Sequence, residues 1–106
     1  MITVCEEMKK LRQMLDEKNI KWEDDSEVLS ERTEFPMWIC RTIFDYKNLK
    51  ISVINGFGTY GGWHGFNPGT TEKENMGLLE IMIGDNEPIG WLKAEDIIKA
   101  IEEVEK

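Results

Sequence analysis

Two alternating runs, 35–46 and 49–54, constrain this chain more than any other feature. In the first, Trp38, Cys40, Thr42, Phe44 and Tyr46 share one face, and Met37, Ile39, Arg41, Ile43 and Asp45 share the other. A side-chain period of two is the signature of a strand. The second run, Leu49-Lys50-Ile51-Ser52-Val53-Ile54, alternates in the same way. Only Lys47-Asn48 separates the two, a length that suits a tight turn. An antiparallel hairpin is therefore expected. Its first strand is apolar on both faces, which places it centrally in a sheet.

Helical spacing flanks the hairpin. Val4, Cys5, Met8, Leu11 and Leu15 form an amphipathic stripe. Thr3-Val4-Cys5-Glu6 has the form of a capping box, with Thr3 and Glu6 exchanging hydrogen bonds. A helix over 3–18 is predicted, with Lys18 and Asn19 suited to its end. Near the C-terminus, Ile97, Ile98, Ile101 and Val104 form a second stripe, with Glu95 and Asp96 in its first turn, where the dipole favours acids. Between the helices, Ile20-Lys21-Trp22-Glu23 reads as a short strand. Length favours a strand for Gly77-Leu78-Leu79-Glu80-Ile81-Met82-Ile83-Gly84 too. Ile89-Gly90-Trp91-Leu92 leads into the last helix, with Trp91 as a core anchor. The expected fold class is α+β: an N-terminal helix, an antiparallel sheet of three to four strands and a C-terminal helix, both helices on one face. At 106 residues the chain is read as one domain, 1–106, since two cores would each be too small.

Charge narrows the function. Thirteen basic and 21 acidic side chains give 13 − 21 = −8. Such a surface suits neither duplex nucleic acid, where each phosphate contact wants a Lys or Arg, nor an anionic membrane. Six of the acids (Glu23, Asp24, Asp25, Glu27, Glu31 and Glu34) fall in 23–34 beside the single base Arg32. The stretch reads as a solvated loop or, more sharply, as an acidic contact surface for a basic partner, with Glu23, Asp24, Asp25 and Glu27 as its contacts.

The segment 56–66 invites a second functional reading. Five of its first ten residues are glycine, and Phe57, Tyr60, Trp63 and Phe66 recur every third position. Gly56-Phe57-Gly58-Thr59-Tyr60-Gly61 matches GxGxxG, yet no helix is expected at its third glycine to meet a pyrophosphate. The rings either fill the core of a bent strand or form a stacking platform. On the platform reading Phe57, Tyr60, Trp63 and His64 contact a ligand or partner, and Arg41 or Lys50 on the hairpin meets a phosphate. A homodimer would enlarge such a pocket.

Recognisable catalytic equipment is sparse. His64 is the only histidine, and with Cys5 and Cys40 it cannot close a zinc site. Acids at calcium-loop spacing are missing. Cys40 sits mid-strand, a packing position, so a Cys40–His64 dyad is a poor prospect. Neither a cofactor nor a metal is expected. Both cysteines read as reduced, small hydrophobes of a cytoplasmic protein. No signal-peptide core or membrane-length apolar run is visible.

Ser52-Val53-Ile54-Asn55-Gly56-Phe57-Gly58-Thr59-Tyr60-Gly61-Gly62, Gly77-Leu78-Leu79-Glu80, Glu87-Pro88-Ile89-Gly90-Trp91-Leu92 and Ala94-Glu95-Asp96-Ile97 together resemble a group of small uncharacterised proteins from phages and prophages of Gram-positive bacteria. The likeness extends to Glu7-Met8-Lys9-Lys10-Leu11. It implies a small accessory protein made in the cytoplasm of a bacterial host, of a kind that often inhibits host machinery or defence. The expectation is thus non-enzymatic binding of a host protein. The alternative is a sequesterer of a small nucleotide-like ligand through the glycine-aromatic loop.

Overall fold

The structure is a computed structural model and describes Ile2, 4–30, 37–56, 59–60 and 77–104. Along the chain run α1 (Glu6–Glu17), β1 (Trp22–Asp24), β2 (Glu27–Ser30), β3 (Met37–Tyr46), β4 (Leu49–Gly56), β5 (Leu79–Ile83), β6 (Ile89–Leu92) and α2 (Ala94–Glu102). The fold is α+β. Six strands form one antiparallel sheet in the order β1-β3-β4-β5-β6, with β2 also paired to β3.

The hairpin forms where the alternation places it. Tyr46 pairs with Leu49, and the register runs unbroken to Ile39 against Gly56. Lys47 (φ 50°) and Asn48 (φ 64°) both hold left-handed backbone. Positive φ at both central residues is the geometry of a type I′ turn, whose twist matches that of the strands. Asparagine tolerates it readily, lysine less so. The Lys47 ammonium donates to the carbonyls of Glu102 and Val104, each at 3.3 Å, and so caps the end of α2.

One face of the sheet holds the core. Trp38, Cys40, Thr42 and Phe44 of β3, Ile51, Val53 and Asn55 of β4, and Leu79 and Ile81 of β5 are buried. Met8, Leu11 and Leu15 of α1 and Ala94, Ile97, Ile98 and Ile101 of α2 join the same cluster, so both helices cover that face. Each fully buried Leu or Ile contributes roughly 1.5–3 kcal/mol.

Three expectations are corrected. The sheet has six strands among the described residues rather than three to four. The two unforeseen strands are β2, inside the acidic run, and β6, ahead of α2. Both are edge strands, where charged residues and glycine are tolerated although they depress strand propensity. The first helix begins at Glu6 with Cys5 as its N-cap and no side-chain cap, so it is shorter than 3–18. The Glu6 carboxylate accepts from Lys9 at 3.3 Å, and Thr3, its expected capping-box partner, lies outside the described residues. The helix closes as its sequence suggests: Asn19 is left-handed (φ 58°) and the Ile20 amide reaches the Leu15 carbonyl at 2.9 Å. Lastly, Trp91 is no core anchor: it is 53% exposed at φ 56°.

Candidate functional site: an aromatic pair and an acidic corner

At one end of the sheet, β1 and β2 share the outer edge of β3. Between them, Asp25 donates its backbone amide to the Arg41 carbonyl at 2.9 Å, and the Ser26 hydroxyl accepts the Arg41 amide at 3.0 Å. A side chain thus replaces a missing backbone partner and keeps the ladder satisfied through the corner. The four acids expected as a contact surface, Glu23, Asp24, Asp25 and Glu27, are all exposed. The fold divides them in two.

Asp24 and Asp25 are engaged within the molecule. Asp24 lies 3.6 Å from Arg12 and accepts from both the hydroxyl and the amide of Ser26. The Ser26 hydroxyl, then its amide and the Arg12 guanidinium, hold the Asp24 carboxyl below its ordinary range. Arg12 itself is spread over several partners: it donates to the Thr42 hydroxyl at 2.8 Å and to the Cys40 sulfur at 3.6 Å, and lies 4.7 Å over the Trp22 ring. Asp25 accepts from Arg41 at 3.3 Å. Arg41 also donates to the Asp25 carbonyl at 3.3 Å. The arginine expected to meet a phosphate is therefore satisfied by an acid of its own chain. Glu23 and Glu27 have no ion pair among the described residues.

The other end of the sheet presents rings. Leu79 pairs with Leu92 and Ile81 with Ile89, so Gly90 and Trp91 together oppose the single residue Glu80. That extra residue is a β-bulge, a device that re-aims a side chain. The bulge turns Trp91 toward Tyr60, with ring centroids 5.3 Å apart and planes tilted by 41°. Tyr60 is 45% exposed. Two hydrogen bonds fix the pair: the Trp91 amide donates to the Tyr60 carbonyl at 3.1 Å, and the Tyr60 amide donates to Oε1 of Glu80 at 2.8 Å. Glu80 is only 8% exposed. Gly90 permits this approach, because a β-carbon there would lie 2.7 Å from the Tyr60 carbonyl oxygen and closer still to its Cβ. Upstream, Thr59 accepts the Gly56 amide at 3.0 Å and donates to the Gly56 carbonyl at 2.9 Å, which ties the start of the Thr59-Tyr60 segment to the end of β4.

Of the expected ligand residues, Tyr60 is thus displayed and Arg41 is taken up at the opposite end of the sheet. Phe57, Trp63 and His64 lie outside the described residues. The sequence reading missed Trp91 and Glu80. A glycine within a strand-length run was the available signal for a bulge, but it does not say which ring the bulge exposes. Both thiols are free, and burial pushes each upward from its ordinary pKa. A buried, protonated Cys40 is a packing group, as its place in β3 suggested. Among the described residues no group of three or more His, Cys, Asp or Glu is placed to hold a metal ion. None of their helices is long and apolar enough to cross a membrane. Compared with known proteins, the chain matches no family model, no curated protein and no solved structure.

Proposed function

We propose that this protein is a small phage or prophage accessory protein that acts in the host cytoplasm by binding a host protein without catalysis. A nucleic-acid-gripping machine or defence factor is the fitting class of target, since its basic surface complements a chain of net charge −8. The observation that carries this reading is the Tyr60–Trp91 pair: two rings of the types that dominate binding hot spots, half exposed, in contact with each other and carried on a hydrogen-bonded backbone. Rigid anchors lose little side-chain entropy on association. Glu23 and Glu27, at the far end of the sheet and without an ion pair among the described residues, supply long-range attraction. The nucleotide-sequestering alternative is less well supported, because Arg41, one of its two expected phosphate contacts beside Lys50, is occupied by Asp25.

Capture of host proteins on the tagged full chain tests the reading. Trp91→Ala or Tyr60→Ala is expected to lose a stoichiometric partner, while Glu23→Lys with Glu27→Lys slows its association several-fold at low salt and little at high salt. Retention of the same partner by both ring variants would overturn the reading. A nucleotide released on denaturation, with no protein captured, would transfer support to the sequesterer.

A further inference from the structure

We propose that the outer edge of β2 is a docking edge for an extended segment of a partner protein in which basic and apolar side chains alternate. The proposal rests on the protein-binding role above and gives it a second contact, at the opposite end of the sheet from the rings.

An edge strand turns half of its N–H and C=O groups outward, and an extended chain can complete them as one more strand of the sheet. Among the described residues β2 pairs with β3 alone. The edge at β6 is built differently, since the Trp91 amide there is already taken by the Tyr60 carbonyl at 3.1 Å. β2 also carries two adjacent apolar side chains that the fold leaves in water, Val28 at 39% exposure and Leu29 at 44%. Leu29 falls where the register slips between Val28 and Ser30. That bulge shortens the open ladder, so backbone bonds alone hold an incoming strand weakly and the side chains select it.

The pattern of the occupant follows from the register. Glu27 lies opposite Ile39, and Val28 lies opposite the buried Trp38. Neighbours in a strand face opposite sides of the sheet, so β2 shows an acid on one side and an apolar group on the other. A strand that matches both sides alternates bases with apolar residues. The surrounding charge favours the same occupant. Residues 23–34 hold six acids and one base, Arg32. Arg12 and Arg41 take up Asp24 and Asp25, whereas Glu23 and Glu27 are exposed with no ion pair among the described residues. A second copy of this chain is the occupant that the edge rejects. Setting β2 against β2 brings two acidic runs together on molecules of net charge −8 each.

The test is a titration of the ¹⁵N-labelled full chain with a blocked peptide of alternating lysine and valine. The comparison probes are a peptide of the same composition with its lysines and valines in two blocks, a glutamate–valine counterpart, and the alternating peptide N-methylated along its backbone. The alternating peptide is expected to shift the amide signals of Glu27, Val28 and Leu29 and to slow hydrogen exchange among them, with the other three probes much weaker. Val28→Ser with Leu29→Ser is expected to weaken it about three- to tenfold, its unchanged spectrum elsewhere showing that the sheet is intact. Glu23→Lys with Glu27→Lys is expected to weaken it at low salt and little at high salt. Equal binding of the block or N-methylated peptide would overturn the proposal in favour of charge attraction alone. Shifts centred outside β2 would overturn it as well. A dimer of the free chain that Val28→Ser with Leu29→Ser dissolves would put a second copy in the partner's place. If the peptide fails to bind while Trp91→Ala still abolishes capture of a host protein, the docking edge falls and the protein-binding reading stands. If the peptide docks on β2 while both ring variants keep their partner, the ring reading falls and the docking edge stands.

Discussion

Trp91 holds a left-handed backbone at φ 56°. That conformation costs a residue with a β-carbon about 1–2 kcal/mol. Such strain persists only where the surroundings enforce it, here through the bulge in β6 and the hydrogen bond to Tyr60. Replacing Trp91 with glycine separates strain from function. It relieves the backbone but forfeits a ring contact worth about 0.5–1.5 kcal/mol. The two nearly cancel, so Trp91→Gly is expected to melt within a few degrees of the parent while losing its partner. A large fall in melting temperature would mark Trp91 as structural after all. Gly90→Ala is expected to do the reverse. Its new methyl meets the Tyr60 backbone and costs about 1–3 kcal/mol as overpacking does, with a loss of near-ultraviolet dichroism from the ring pair. An unchanged melting curve would contradict the close approach. The sequence reading took Ile89–Leu92 as an approach to the last helix, and Trp91 did not announce its exposure, because an apolar ring before a helix reads equally well as an anchor.

At the scale of elements, the start of α2 shows how helices are tied to one another. Lys93 at its N-cap supplies no side-chain acceptor for the helix amides. The Ala94 amide instead donates to the carboxylate of Glu7 in α1 at 2.8 Å, and the Lys93 amide donates to Asp96 at 2.9 Å. The Ala94 amide is also the main influence that holds the Glu7 carboxyl below its ordinary pKa, aided by Lys10. Glu7→Ala is expected to cost about 1 kcal/mol in urea unfolding at neutral pH, as the loss of a helix cap does. Glu7 and Asp24 both have lowered pKa values in the fold, so their contribution is full above the unfolded-state carboxyl range. It fades as pH falls through their folded-state values. Stability should therefore fall on the acid side of about pH 4. Asp24→Asn should flatten that fall. A difference between Glu7→Ala and parent that stays constant down to pH 2 would sink this account. The stripes of α1 and α2 and the hairpin were legible because each is a local period imposed by backbone geometry. The β2 and β6 edges were not, since an edge strand needs only one neighbour and carries glycine and charge freely.

Over the whole molecule, excess negative charge is distributed unevenly in its consequences. Asp24 and Asp25 are bound to arginines and help to hold the β1–β2 corner, whereas Glu23 and Glu27 have no ion pair among the described residues to offset their repulsion. Glu23→Lys with Glu27→Lys changes the net charge from −8 to −8 + 4 = −4. This double variant is expected to be at least as stable as the parent at low salt, with the gap closing as salt is added. A clear loss of stability would mean that these two carboxylates, too, maintain the sheet edge.

By itself the sequence determined the α+β class, the central hairpin with its two-residue turn and the apolar stripes of both helices. Each of these follows from spacing between near neighbours, which the backbone repeats of helix and strand enforce directly. The tertiary structure alone decided which charges are spent internally and where the second ring points. Arg12 finds Asp24, Arg41 finds Asp25, and Glu80 finds the amide of Tyr60 across 20 residues. Partners of that kind are chosen by strand order and register, and those are settled by how the whole sheet buries its apolar face beneath two helices.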